Sequence, residues 1–267
     1  MMSKIGKILL CFAILCVPPH RMLACGPEWF PPDDAERGFY SQTLTTIQMG
    51  TETIPLIIEF DPAIQPPSHI LGPGWYCPLL ESFMEEHEGF ILIHAPDGTD
   101  QKFTPAPKLP HLYTNPGNWA GEKKGDTFVI YSACGWKITY VKGHITELKT
   151  KEGTLLQWQY QKGIPLKLTS ESVDKLTLQT NLKNLVAKFF IGKETLTLHY
   201  QPSKELFHGA DTLTRVTWPD RQTESYSYRT PSPDRATLQI TLRNGQFIFR
   251  TWDSLSNRLV SEEVLCL

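Results

Sequence analysis

The residues best suited to chemistry form an acidic cluster with one histidine: Glu81, Glu85, Glu86, His87 and Glu88. Carboxylates beside an imidazole can bind a metal ion or transfer protons. However, the cluster lacks the His-Glu-x-x-His spacing that places two metal ligands on one helix face. A solvated acidic turn explains the cluster more simply. We therefore assign no metal site and no cofactor.

The other histidines and the serines form no catalytic pattern. His87 and His94 are seven residues apart, so on one straight strand they would face opposite sides of a sheet. The sequence has no Gly-x-Ser-x-Gly motif of a nucleophile elbow. In Gly72-Pro73-Gly74, the proline removes a backbone donor that a phosphate-binding loop needs. We assign no catalytic residue.

The N-terminus has the form of an export signal. Lys4 and Lys7 precede the apolar run 8–17, which Pro18-Pro19 ends. This run is far shorter than the ~20 residues of a membrane-spanning helix, so residues 1–24 are predicted to be a secretory signal. A buried N-terminal helix is the alternative, but such a helix should have a polar face. We expect a protein without a membrane span in the periplasm, on the outer surface or secreted.

Two kinds of cleavage fit Met22-Leu23-Ala24-Cys25. The segment resembles a bacterial lipobox, in which the cysteine becomes the lipid-bearing first residue, with Met22 where leucine is usual. Signal-peptidase cleavage after Ala24 would use the same small residue. Cys25 is therefore a candidate site for a lipid anchor. In an oxidising compartment, Cys77 and Cys134 are candidates for a disulfide.

Composition excludes one class of partner and indicates a folded chain. The 267 residues carry 26 basic and 28 acidic side chains, a formal net charge of −2. A nucleic-acid-binding surface normally needs a basic excess, so we expect no nucleic-acid partner. Apolar residues at 40% and charged residues at 20% are typical of a folded protein.

Runs of apolar and β-branched residues predict strands over much of the chain. Residues 54–60, 90–93 and 127–133 are such runs, and Pro96-Asp97-Gly98 has the composition of a hairpin turn. Residues 79–88 contain good helix formers but have neither an N-cap nor a clear 3.6-residue period. We interpret this segment as a strand.

The strongest hairpin signal lies near the C-terminus. Apolar and polar residues alternate on both sides of Asn244-Gly245, the preferred sequence of a type I′ turn. A two-residue loop there would pair Leu242 with Phe247 and Ile240 with Phe249. The predicted buried face consists of Leu238, Ile240, Leu242, Phe247 and Phe249, with Ile248 on the outer face.

The chain also repeats itself with an offset of 20 residues. Residues 140–148 align with 160–168, and both segments begin with Tyr-x-Lys-Gly. Similarity at a fixed period predicts stacked supersecondary units, here a strand, a glycine turn and a strand. Coincidence between two hairpins of similar composition is the alternative.

Residues 213–229 resemble a YD repeat of Rhs proteins. Those repeats carry a valine, an aromatic residue, Pro-Asp-Gly, a threonine and a tyrosine, and they end in Tyr-Asp. The matching residues here are Val216, Trp218-Pro219-Asp220-Arg221, Thr223 and Tyr228-Arg229. Arginine thus replaces both the glycine and the final aspartate. Residues 249–259 and 153–163 are further partial matches.

The N-terminal half is similar to the segment that precedes the repeats in Rhs proteins. Residues 54–61 would be its apolar strand, Gly72-Pro73-Gly74-Trp75 its Gly-x-Gly-Trp element, Glu81 part of its acidic strand and Asp97-Gly98 part of its hairpin. With these segments, the resemblance spans roughly 53–260.

The resemblance implies an all-β fold, a curved sheet of stacked antiparallel β-hairpins with few or no helices. Residues 25–135 would form the N-terminal β segment and residues 136–267 the degenerate repeats. In the family, long repeat arrays form a hollow shell around a toxin. We therefore expect a non-enzymatic structural or interaction protein, with another protein or a surface polymer as its partner.

Two alternatives remain open. An aromatic ladder on an exposed sheet face could bind carbohydrate or another surface polymer, with Trp158, Trp218 and Trp252 as candidate binding residues. In stacked repeats such residues more often fill the core, so the exposure of these tryptophans distinguishes the two interpretations. The other alternative is a secreted hydrolase, which needs convergent polar side chains in one pocket.

Overall fold

The computed structural model describes residues 40–49, 52–61, 69–95, 100–117, 119–132, 135–151, 153, 155–170, 176–204, 207–254 and 258–265. Within these ranges the chain forms 21 strands and one short helix, α1 (Pro78–Glu81). The all-β class expected from the sequence is confirmed. In the described ranges, no helix has the length and apolar composition needed to cross a membrane.

The strands form two antiparallel sheets. The first, here called the inner sheet, contains β1 (Tyr40–Met49), β2 (Glu52–Phe60) and β3 (Trp75–Tyr76). The second contains β4 (Phe83–His87), β5 (Phe90–His94), β6 (Asp100–Ala106), β7 (Leu109–Thr114), β8 (Ala120–Lys124), β9 (Thr127–Tyr131), β10 (Lys137–Val141), β11 (His144–Lys149), β12 (Leu155–Gln161), β13 (Ile164–Ser170), β14 (Leu176–Thr180), β15 (Val186–Ile191), β16 (Glu194–Pro202), β17 (Asp211–Thr217), β18 (Thr223–Ser232), β19 (Arg235–Thr241), β20 (Phe247–Asp253) and β21 (Leu259–Leu265).

The second sheet is one continuous meander. Each strand from β4 to β21 pairs with the next strand along the chain. In addition, His144 on β11 pairs with Phe83 on β4, and the Met84 N–H donates to the Gly143 carbonyl at 2.7 Å. This contact closes β4–β11 into a ring, and β12–β21 extend the meander beyond it.

The 20-residue sequence repeat corresponds to two hairpins of the same geometry, β10–β11 and β12–β13. The turn residues Lys142 and Gly143 have φ of 50° and 82°, and Lys162 and Gly163 have φ of 53° and 80°. Positive φ at both positions defines a type I′ turn, which matches the twist of the flanking strands. Both hairpins also have a register shift immediately before the tyrosine of the repeat.

The C-terminal hairpin β19–β20 has a different turn from the predicted one. The Leu242 N–H donates to the Gln246 carbonyl at 2.9 Å, and the Gly245 N–H donates to the Leu242 carbonyl at 3.0 Å. Gly245 has φ of 83°. These bonds define a three-residue loop with a glycine bulge, the next most common hairpin connection. The prediction of a two-residue type I′ loop was wrong.

The longer loop shifts the register by one residue, which moves every β20 side chain to the other face. Phe249 pairs with Gln239 and is only partly buried, whereas Ile248 pairs with Ile240 and packs against the core. Leu238 is fully buried, as expected. The assignment of Phe247 and Phe249 to the buried face and of Ile248 to the outer face was therefore wrong.

The C-terminal half of the meander packs on the inner sheet through aromatic side chains. The ring centroids of Trp75 and Tyr226 are 4.6 Å apart, and those of Phe60 and Trp252 are 5.5 Å apart. The Tyr40 hydroxyl donates to the buried carboxylate of Glu224. Large aromatic rings thus fill the space between the two sheets, where each buries a large apolar area.

A short segment that includes α1 lies against the meander on the inner side. Val186 on β15 donates its N–H to the Ile70 carbonyl at 2.7 Å, and Trp158 on β12 donates its indole N–H to the Leu79 carbonyl at 2.9 Å. The segment 79–88, interpreted from the sequence as a strand, begins within α1 and continues as β4.

Candidate functional site

The three tryptophans proposed as a binding face are buried. Trp158, Trp218 and Trp252 are 5%, 7% and 1% exposed. The indole of Trp158 is hydrogen-bonded to the Leu79 carbonyl, and the guanidinium of Arg243 lies 4.0 Å from the Trp218 ring centroid. These three residues therefore do not form an exposed aromatic face, because their side chains lie in the interior.

The cysteine predictions fall largely outside the described residues. Cys25 and Cys134 both lie there, so lipid attachment and the Cys77–Cys134 disulfide stay predictions. Cys77 is fully buried and forms no disulfide with another residue that the structure describes. Burial, reinforced by the charge of Glu81, raises the pKa of the Cys77 thiol. A buried, protonated thiol is a poor nucleophile.

The structure divides the acidic cluster into a buried and an exposed part. Glu81 is 5% exposed, and its carboxylate accepts hydrogen bonds from the backbone N–H groups of Ile70 at 3.1 Å and Cys77 at 2.8 Å. Glu85, Glu86, His87 and Glu88 lie exposed on β4 and the following turn. No group of three metal-ligating side chains occurs in the described ranges. Glu81 thus anchors the loop before α1.

His94, which the sequence analysis placed in no catalytic pattern, lies between two carboxylates on the outer face of β4–β6. His94 Nδ1 is 2.7 Å from Asp100 Oδ1, and His94 Nε2 is 3.8 Å from Glu85 Oε2. Burial alone would lower the pKa of His94, but the hydrogen bond and charge of Asp100, together with Glu85, raise it above its ordinary value. The imidazole and the Asp100 carboxylate come together because His94 on β5 pairs directly with Asp100 on β6.

We expect this histidine to make stability depend on pH. Because the folded-state pKa is raised, the ion pair stabilises the fold fully below the unfolded-state pKa of about 6.5, and this contribution is lost as the pH rises through the folded-state pKa. NMR titration of the His94 ring should give a midpoint that falls in Asp100→Asn. Glu88→Gln, at the other end of the β4–β5 hairpin, is the control. An unchanged midpoint in Asp100→Asn would contradict the pairing.

An open cleft of about 1020 Å³ lies over the β16–β17 hairpin. Pairing between these strands continues to Pro202 and Asp211. By contrast, the β15–β16 register ends at Lys188–Thr197, and the β17–β18 register ends at Arg215–Ser225. The distal half of the hairpin is therefore separated from the strands on both sides.

The tip of this hairpin packs toward the inner sheet. Phe207 contacts Phe60 and Tyr228, with ring centroids 6.3 Å and 5.7 Å apart. Asp211 lies against the backbone of Gly72, where an added Cβ would be only 2.7 Å from the Asp211 carbonyl oxygen. Because the tip bends inward, the wall of the meander has a depression at this point. That depression is the cleft.

Two tyrosine hydroxyls bridge the gaps beside the hairpin. The Tyr200 hydroxyl donates to the Val186 carbonyl at 2.7 Å. The Tyr228 hydroxyl donates to the Leu213 carbonyl and accepts a hydrogen bond from the Trp75 indole at 2.6 Å. Burial raises the pKa of both tyrosines, which keeps the hydroxyls protonated as donors. These bonds satisfy carbonyl groups at places where the strand ladder is interrupted.

The lining of the cleft is polar and contains more cations than anions. Its charged residues are Lys183, Lys204, Arg215 and Asp211. Lys183 forms an ion pair with Asp211. On the opposite wall, Ser225 and Ser227 alternate with the buried Tyr226 and Tyr228, so the serine side chains face outward. The cleft thus combines positive charge with hydroxyl groups.

His199 lies on the floor of the cleft. Its Nε2 is 3.1 Å from the Thr217 hydroxyl, and its Nδ1 is 3.4 Å from a guanidinium nitrogen of Arg215. Burial, followed by the positive charge of Arg215, lowers the pKa of His199. The imidazole is therefore neutral at pH 7. Sequence analysis missed the cleft because its residues come from separate strands and turns with no common spacing.

The fold and the cleft define an all-β protein built from an antiparallel meander packed on an inner sheet, with a polar cleft in its wall. No family model matches the sequence, and no curated protein matches it. Among solved structures, the chain is similar to the N-terminal domain of effector protein SpvB from Salmonella typhimurium strain LT2, with a TM-score of 0.35 and 10% identity over 85% of this chain and 99% of that chain. A similarity at this level carries no argument about function.

Proposed function

We propose that the protein is an exported, non-enzymatic structural or interaction module that resembles part of an Rhs/YD-repeat shell. The observation that carries this proposal is the uninterrupted meander of hairpins from β4 to β21. Most of these hairpins bury one face in a shared core that is rich in aromatic side chains, as expected of stacked units that cannot bury their apolar faces alone. Such an architecture supplies a large, rigid surface for a partner.

The turn inside the YD-like segment supports the resemblance. The Arg221 N–H donates to the Trp218 carbonyl at 2.9 Å, and the Trp218 N–H donates to the Gln222 carbonyl at 3.0 Å. Arg221 has φ of 67°, a conformation that favours glycine. YD repeats carry glycine at the corresponding position. Arg221 therefore keeps the backbone geometry that the repeat glycine would adopt.

The chemistry of the cleft argues against the hydrolase alternative. A histidine that acts as a general base must accept a proton and become positively charged during the reaction. At His199, burial and then the neighbouring Arg215 disfavour that positive charge and lower the pKa of the imidazole. The Asp211 carboxylate is paired with Lys183. These contacts suit a binding surface better than a proton-transfer site.

Export is tested by the N-terminus of the mature protein. We expect mass spectrometry of protein from the native host to give a chain that begins at or near Cys25, because Lys4, Lys7 and the run 8–17 have the form of a cleaved signal. A diacylglyceryl mass on Cys25 would identify lipid attachment. An intact Met1 on the mature chain would contradict export by this signal.

A further inference from the structure

We propose that the cleft over the β16–β17 hairpin binds an acidic oligosaccharide, meaning a chain of sugar units that carry carboxylate or sulfate groups. The inference rests on the proposed function, because it names the ligand class of a non-enzymatic interaction module. The binding surface is a different one from the aromatic face considered from the sequence, since those tryptophans are buried.

The charge of the cleft favours an anion. Three cationic side chains and one carboxylate line it, whereas the whole chain has a formal net charge of −2. Because Lys183 is paired with Asp211, the positive charge available to a ligand comes mainly from Lys204 and Arg215. Both side chains are exposed. A concave surface with charges of one sign concentrates ligands of the opposite sign.

The neutral polar groups of the cleft favour sugar hydroxyls. Ser225 and Ser227 line one wall, and Gln201 lies on the floor. Hydroxyl and amide side chains can both donate and accept hydrogen bonds, as sugar hydroxyls do. The volume of about 1020 Å³ is at the upper end of the usual range for small-ligand pockets. An open cleft of this size suits a chain of sugar units.

An acidic peptide is the main rival, and the structure disfavours it. Extended peptides usually bind by hydrogen bonding to the backbone of an exposed strand edge. Beside the cleft, the Leu213 and Val186 carbonyls already accept hydrogen bonds from Tyr228 and Tyr200. With these two carbonyls occupied, the charged and hydroxyl side chains of the cleft remain for recognition, and they match a hydroxyl-rich ligand better than a peptide backbone.

The test is calorimetric titration of the full mature chain with a six-unit oligouronate, a neutral six-unit oligoglucan and hexaglutamate at low salt. We expect the oligouronate to bind and its Kd to rise at least about tenfold in the double variant Lys204→Glu/Arg215→Glu, because ion pairs become repulsions. The control is Lys193→Glu, which makes half of that charge change, the same as Lys204→Glu alone, on the exposed β15–β16 turn. Its Kd should stay within about twofold of the wild type.

Several outcomes would overturn the inference. Equal binding of the neutral oligoglucan would remove the role of charge, and equal binding of hexaglutamate would indicate an acidic-peptide site. An equal loss in Lys193→Glu would indicate non-specific attraction. Thermal unfolding checks the fold of each variant. If the double variant unfolds at a lower temperature than the wild type, Lys204→Glu alone replaces it, and its Kd for the oligouronate should also rise.

Mass spectrometry of the oligouronate after incubation separates this inference from the proposed function. An intact oligouronate that binds supports both. An intact oligouronate that fails to bind overturns the ligand assignment and leaves the structural proposal standing. Cleaved products would overturn the non-enzymatic proposal, whereas weakened binding in Lys204→Glu/Arg215→Glu would still support the assignment of the cleft.

Discussion

Replacement of Trp252 by alanine is expected to destabilise the protein by about 3–5 kcal/mol, the usual cost of removing a large buried aromatic side chain. Trp252 is 1% exposed and contacts Phe60 with ring centroids 5.5 Å apart. It thus lies where β20 meets the inner sheet, and its removal leaves a cavity between two rigid sheets. Denaturant unfolding measures the loss.

Phe249→Ala is the matched control for Trp252→Ala. Phe249 lies on the same strand but pairs with Gln239 on the outer face, where it is only partly buried. We expect a loss of about 1 kcal/mol, since little apolar area leaves the core. A larger loss in Phe249→Ala than in Trp252→Ala would contradict the observed register and support the two-residue loop predicted from Asn244-Gly245.

The substitution Tyr228→Phe is expected to cost about 2–5 kcal/mol, because it leaves two buried polar groups without a partner. These groups are the Leu213 carbonyl and the Trp75 indole N–H, which the Tyr228 hydroxyl joins. The ring itself is retained, so packing against Phe60 and Phe207 is preserved. Thermal unfolding measures the loss, and the cleft should also become less ordered at this wall.

Two further tyrosines calibrate this result. Tyr200→Phe removes one hydrogen bond, to the Val186 carbonyl, and should cost about 1–3 kcal/mol. Tyr131 is 42% exposed, and Tyr131→Phe should change stability by less than about 0.5 kcal/mol. A Tyr228→Phe variant as stable as Tyr131→Phe would refute the bridging role of the Tyr228 hydroxyl.

Local sequence predicted the repeated hairpins well. Tyr-x-Lys-Gly at 140–143 and 160–163 corresponds to two type I′ turns with the same register shift. This prediction was accurate because glycine and the short loop act within a few residues of the turn. Strand composition likewise depends on near neighbours, which explains why the all-β class could be inferred before any long-range contact was known.

The same local reasoning was insufficient for the register of β19–β20. Asn-Gly is compatible with a two-residue loop and with a three-residue loop that ends in a glycine bulge. The two loops place opposite faces of β20 toward the core. Packing of the partly buried Ile248 and burial of Trp252 against the core accompany the second loop, so long-range packing decided between two locally acceptable turns.

By itself, the sequence determined that the protein is built from short antiparallel strands and hairpins, because turn chemistry and alternation are local properties. Only the tertiary structure decided which aromatic residues are buried and where the cleft lies. The bonds that matter join distant residues, such as Trp75 with Tyr228, 153 positions apart, and Tyr40 with Glu224, 184 positions apart. The cleft exists because Phe207 packs on Phe60 and draws the β16–β17 tip inward, and no spacing along the chain encodes that contact.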